Sequence, residues 1–121
     1  MSHEFIEELQ AHAVECVHHV DQDIWDVDFP AGVAVALSTK EDGTIMIDGI
    51  TSRSRGQGHA SAALRALCQV ADRTCATLAL VAQSYDLEAK SLDNRALAAW
   101  YKRHGFEGEI FLVRAPRFYS D

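Results

Sequence analysis

The spacing of apolar positions changes along this chain, and each change marks an element. Phe5, Ile6, Leu9, Ala13, Cys16, Val17 and Val20 recur at the 3.6-residue period, which predicts one helix from a Ser2 cap to Val20. Over residues 21–29, Ile24, Asp26 and Asp28 alternate with Trp25, Val27 and Phe29, a weaker strand pattern that Pro30 interrupts. Residues 32–38 and 44–51 read as two strands, joined by Lys40-Glu41-Asp42-Gly43 with its Asp-Gly hairpin signal. Helical periodicity returns over 58–73, with Leu64, Leu67, Cys68 and Ala71 on the core side. Residues 77–82 form a short, wholly apolar run, the mark of a strand buried on both faces. A strand, a helix and a second strand in succession predict a crossover between parallel neighbours. A polar connection over 83–90 leads to a helix over 92–104, capped by Ser91 or Asp93 and ended by Gly105. Phe106 begins a last strand centred on 109–114, which Pro116 closes.

Between the strand at 44–51 and the following helix stands Arg55-Gly56-Gln57-Gly58-His59-Ala60. A glycine-rich turn there leaves N–H groups at a helix start without partners, and the positive end of the helix dipole adds to them. Such a turn suits an anion, and Arg55 supplies a planar charge that matches phosphate. A P-loop would need Gly-Lys-Ser/Thr where Gly58-His59-Ala60 stands, and a dinucleotide fingerprint would need a third glycine at Ser61. The expectation is a phosphate-bearing ligand at the N-terminus of the helix after Gly58.

Length and composition agree with one domain spanning 1–121, at 48% apolar and 24% charged residues. No apolar run reaches the ~18–20 residues of a membrane span, and no signal peptide is visible. Cys16, Cys68 and Cys75 are odd in number and form no CxxC pair, as expected of reduced, mostly buried thiols in a cytoplasmic protein. Cys68 and Cys75 read as packing residues. His12, Cys16 and His19 share one face of the first predicted helix, but no second ligand cluster accompanies them, and no metal site is expected. Net charge is −7 and uneven: residues 1–50 carry 11 acids against one base, Lys40, whereas 51–121 carry 7 acids against 10 bases. The acidic half disfavours nucleic-acid backbone and suits a cationic partner, or simply a solvated surface.

Asn94-Arg95-Ala96-Leu97-Ala98-Ala99-Trp100-Tyr101-Lys102-Arg103-His104-Gly105-Phe106 resembles the second motif of the GNAT family of N-acetyltransferases, where Asn precedes an aromatic-Tyr pair and Gly-Phe. The Arg55–Ala60 turn is similar to that family's pyrophosphate motif, and Ile50-Thr51-Ser52 stands where the family has Val-x-Pro. Motifs and intervening strand together cover 44–106, about half the chain.

The resemblance implies an α/β (α+β) fold: a mixed, mainly antiparallel sheet with a central parallel, splayed strand pair and helices on both faces. It implies direct acetyl transfer from acetyl-CoA to a primary amine, on a small molecule or a protein. Arg55, Gly56, Gln57, Gly58, His59 and Ala60 would hold the pyrophosphate. Backbone near Ile50-Thr51 and near Val81-Gln83 would pair with the pantetheine arm. Asn94 would bond to that arm or fix its loop, and Tyr101 would protonate the departing thiolate. The residues leave a different class open, an acyl-CoA-binding or protein-interaction module with the same fold and no turnover.

Among carboxylates, Asp48 is nearest in sequence to the turn and is the candidate base, with Glu41, Asp42 or a water chain as alternatives. Simple alternation places Asp48 with Ile50, opposite Ile47 and Gly49. His59 is read as a helix-surface residue or a phosphate contact. A short C-terminal strand ending in Phe118-Tyr119 predicts an exposed sheet edge and a homodimer.

Overall fold

The computed structural model describes residues 3–53, 58–82 and 94–117. One sheet runs in the order β1 (Glu15–His19), β2 (Ile24–Phe29), β3 (Val33–Thr39), β4 (Ile45–Ser52), β5 (Leu78–Val81) and β6 (Phe111–Arg114). Helix α1 (His3–Gln10) precedes it, α2 (His59–Thr74) joins β4 to β5, and α3 (Asn94–Lys102) lies between β5 and β6. Only β4 and β5 are parallel; the other neighbours are antiparallel. The α+β class and the parallel pair inside a mainly antiparallel sheet are those expected from the sequence. No described helix is long and apolar enough to cross a membrane.

Alternation builds the core. Val33, Val35 and Leu37 of β3 and Ile45 and Ile47 of β4 face inward and are buried. Helix α2 packs on these strands and buries Leu64, Leu67, Val70 and Ala71, while α1 packs against α2 and adds Phe5 and Leu9. Each large side chain so buried contributes about 1.5–3 kcal/mol.

Besides the last strand, which begins at Phe111 rather than Phe106 because the chain turns at Gly108 and Glu107 bridges back to Val113, three sequence expectations change. The first helix stops at Gln10, and Glu15–His19 is a strand. Only Phe5, Ile6 and Leu9 of the apparent apolar stripe are buried; Val14, Val17 and Val20 are exposed. The backbone leaves the helix at Ala11–Ala13, and the Val14 N–H donates to the Asp28 carbonyl at 2.7 Å. Sheet pairing thus overrides a periodicity that β-branched valines supported only weakly. Because Cys16 and His19 sit on a strand, the helical face proposed for His12, Cys16 and His19 does not form.

Second, the β3–β4 register shifts. Ala36 pairs with Gly49, but Leu37 pairs with Ile47, leaving Asp48 as a bulge residue without a partner on β3. A bulge reverses which residues share a face. Ile50 therefore pairs with Val35, on the face of Ile45 and Ile47 rather than opposite them.

Third, Cys75 is not a packing residue. It is the exposed C-cap of α2 in left-handed conformation, φ 58°, and its N–H donates to the Ala71 carbonyl. Cys68 is buried as expected.

Candidate active site

Parallel pairing between β4 and β5 covers only Ile45–Leu78 and Met46–Ala79. Beyond Met46, β4 runs on to Ser52, and beyond Ala79, β5 runs on to Val81 with β6 on its other side. Among the described residues the two strands thus lose each other after two registers. The bulge at Asp48 lies just past the last paired residue of β4. Bulge and splay together leave a wedge between β4 and β5 whose facing backbone groups are free of the β4–β5 ladder.

Strand β4 ends near the start of α2. Gly58, the N-cap of α2, is left-handed at φ 77°, where a residue with a Cβ is strained. A Cβ placed on Gly58 would stand in open space, so the glycine is required by conformation and exposes backbone rather than relieving a clash. No side chain caps the helix, and no acidic residue stands in its first turn. Among the described residues, those N–H groups therefore meet neither a capping side-chain oxygen nor a competing carboxylate. This fits a diphosphate on conformation and charge alike. His59 and Ala60, in that first turn, are half-buried. Arg55, Gly56 and Gln57 lie outside the described residues.

Helix α3 is docked onto that first turn. The Trp100 Nε1–H donates to Ser61 Oγ at 2.8 Å. That partner is distant in the chain, and no local sequence signal reveals it. Tyr101, the next residue, is 5% exposed and set edge-on between Trp100 and Phe106, at ring distances of 4.8 and 5.4 Å. Burial pushes its phenol up to about 12. It is protonated throughout the ordinary pH range, so it can donate a hydrogen bond and cannot serve as a base. Asn94 is the first residue of α3, and its side chain lies outside the described residues.

Gly105 and Phe106 hold α3 in place. Gly105 is at φ 99°, with the Arg117 and Arg114 guanidinium groups where a Cβ would go. The Arg114 fork reaches both Asp72 oxygens, at 2.8 and 3.0 Å, and its Nε–H donates to the His104 carbonyl at 2.8 Å. This buried pair ties α2, β6 and the turn after α3 together. Burial acts to raise the Asp72 carboxyl, but the Arg114 fork and the Arg117 N–H outweigh it, so the group sits below its ordinary value. Burial lowers the His104 imidazole, and Arg65, Arg103 and Arg114 lower it further. Burial holds the Cys68 thiol at about 11, where it is inert as a nucleophile.

The candidate bases fall into two places. Asp48 is exposed at the bulge, beside the wedge. Asp42 is fully exposed in the β3–β4 turn, and the Thr44 N–H, donating to its Oδ1 at 2.9 Å, lowers its carboxyl. Glu41 shares that turn, which precedes β4, whereas Gly58 follows it. Asp48, Ile50 and Thr51 thus lie on the stretch of β4 past the parallel pairing, and Gly58, His59 and Ala60 at the start of α2, to which the Tyr101 helix is fastened through Ser61. Glu41 and Asp42 lie at the other end of the strand.

No protein-family model matches the chain, and no curated protein sequence matches it. Among solved structures, the chain is similar to the crystal structure of the anti-CRISPR protein AcrVA5. The two share 21% identity at a TM-score of 0.58, over 69% of this chain and 90% of that one. At that identity the likeness concerns the fold.

Proposed function

We propose that the protein is an acetyl-CoA-dependent N-acetyltransferase that transfers acetyl directly to a primary amine. The observation that carries this reading is the wedge: parallel pairing stops where β4 bulges, and the same strand leads to a helix N-terminus, uncapped among the described residues, behind a left-handed glycine. A long ligand that is anionic at one end and amide-rich along its arm matches such a path. The N-terminal N–H groups of α2 hold the diphosphate, and the strand edges near Ile50, Thr51 and Val81 pair with the amides. Acetyl-CoA supplies the activated acyl group as a thioester.

The remaining work belongs to the chain. Backbone donors released at the Asp48 bulge polarise the acyl carbonyl. Asp48 takes the proton that the incoming ammonium must lose. Tyr101 keeps its proton and directs it at the sulfur. A phenol at about 12 is a weaker acid than a thiol of about 8.5, so complete transfer is uphill. The hydroxyl therefore acts first as a hydrogen-bond donor to the developing thiolate. The acidic first half of the chain suits a cationic acceptor, small molecule or protein.

The test is release of free CoA thiol from acetyl-CoA with a panel of polyamines, aminoglycosides and lysine-bearing peptides. Protein-dependent release, lost in Tyr101→Phe, is expected. Saturable acetyl-CoA binding with no release from any acceptor would instead favour the non-catalytic acyl-CoA-binding module.

A further inference from the structure

The sheet has two outer strands, and they are treated differently. On β6 the outer edge is occupied at Val113: Glu107 and Val113 exchange both backbone hydrogen bonds at 2.9 Å, and Gly108 backs onto the Phe111 carbonyl. The exposed Phe111 ring also carries the Lys40 ammonium 5.1 Å from its centroid. On β1 nothing comparable is present among the described residues. Its pairing partner is β2 alone, in unbroken register, and it holds no lysine, proline or bulge. Edges normally carry such devices because unpaired N–H and C=O groups recruit other strands. Three of the exposed large hydrophobics flank or lie on this strand: Val14 at 71%, Val17 at 39% and Val20 at 76%.

The segment is also complementary to itself. Residues 14–20 read Val-Glu-Cys-Val-His-His-Val. In an antiparallel pair centred on Val17, Val14 of one chain stands opposite Val20 of the other, Glu15 opposite His19, and Val17 opposite Val17. Every valine meets a valine, and each acid meets a histidine. Opposite-charge and β-branched pairs across strands are the favourable ones. Within its own chain His19 engages Asp26 through Nε2 at 2.6 Å. A two-fold axis requires one patch to match itself; the valines and the Glu15–His19 pairs do so, while Cys16 stands opposite His18.

We propose that β1 is the dimerisation edge of this protein, pairing antiparallel with β1 of a second copy about a two-fold axis at Val17. The two six-stranded sheets then join into one. This inference is independent of the acyl-transfer reading, and it moves the expected homodimer contact from the C-terminal strand to the opposite side of the sheet.

Two substitutions test it in the full chain by sedimentation. Val17→Lys sets a lysine beside Asp26, its cross-strand partner within the chain, but places two lysines face to face at the axis. Val17→Cys, with Cys16 and Cys75 changed to Ser, brings two thiols opposite each other. Directly paired strand residues have Cα atoms about 4.5–5.5 Å apart, within the reach of a disulfide. The wild-type chain is expected to sediment at twice its 13.4 kDa mass at about 100 μM. Val17→Lys is expected to be folded and monomeric, and Val17→Cys to give a disulfide-linked dimer on mild oxidation, unlike the same background with Val17 retained. A monomeric wild type at that concentration overturns the proposal. So does a dimer that survives Val17→Lys and is not cross-linked by Val17→Cys. If the cysteine variant does not fold, the lysine variant alone decides between the two results.

Discussion

Tyr101 owes its role to where it is buried. A phenol raised to about 12 stays protonated while a free tyrosine ionises near 10. Because the folded value is the higher one, the contribution to stability is complete below about pH 10 and is lost as pH rises towards the folded value. The profile of kcat against pH is therefore expected to show no basic limb from Tyr101 below about pH 11. Removing only the hydroxyl, in Tyr101→Phe, is expected to lower kcat by about 10²-fold or more. Acetyl-CoA affinity and melting temperature should barely change, the pattern of an interaction made only in the transition state. Full kcat, with chemistry shown to be rate-limiting, would remove Tyr101 from the mechanism. The pair Trp100-Tyr101 and the glycines stand out in the sequence because their spacing matches the motifs of the family that it resembles. The Ser61 partner of Trp100 and the Asp72 partner of Arg114 were not, since both contacts join residues about 40 positions apart and leave no periodic trace.

At the scale of elements, two devices set the wedge. One is the bulge, which reverses the inward face of β4 after Ile47 and parts it from β5. Alternation read from the sequence missed it, although Gly49 inside the strand pattern, next to Asp48, is the residue type that signals an extra position. The same blindness to pairing made α1 too long, since helical spacing in 13–20 was fortuitous. The other device is the Arg114–Asp72 pair, which fixes α2 against β6. Arg114→Met leaves a nearly buried carboxylate uncompensated and is expected to cost about 3–5 kcal/mol, read as a fall of roughly 10 °C or more in Tm. Adding Asp72→Leu should recover much of the loss; no recovery would mean that Arg114 acts through the His104 carbonyl instead. With the Asp72 carboxyl lowered in the fold, its contribution is complete above about pH 4 and disappears as pH falls through the folded value. The C-cap of α2 offers a gain. Cys75→Gly removes a Cβ from a left-handed position, and denaturant unfolding is expected to show about 0.5–1 kcal/mol of added stability.

Across the whole molecule, fold class was legible and assembly was not. Element types from residue 32 onward follow from turn residues and periodicity, and the strand–helix–strand run alone requires the parallel pair. Which sheet edge is open depends on a Glu107–Val113 bridge that a strand pattern cannot show. The central claim is that the β4–β5 wedge and the α2 N-terminus form an acetyl-CoA site, and calorimetric titration tests it most directly. Wild-type protein and Gly58→Val are titrated with acetyl-CoA, with Gly58→Asn as a control because asparagine tolerates left-handed φ. The expected result is one-to-one binding to the wild type. Folded Gly58→Val should bind at least about tenfold more weakly, a difference of 1.4 kcal/mol, and Gly58→Asn should lose less. A folded wild type that takes up no acetyl-CoA at millimolar concentration, or a folded Gly58→Asn and Gly58→Val pair that binds it as tightly as the wild type, would contradict the assignment.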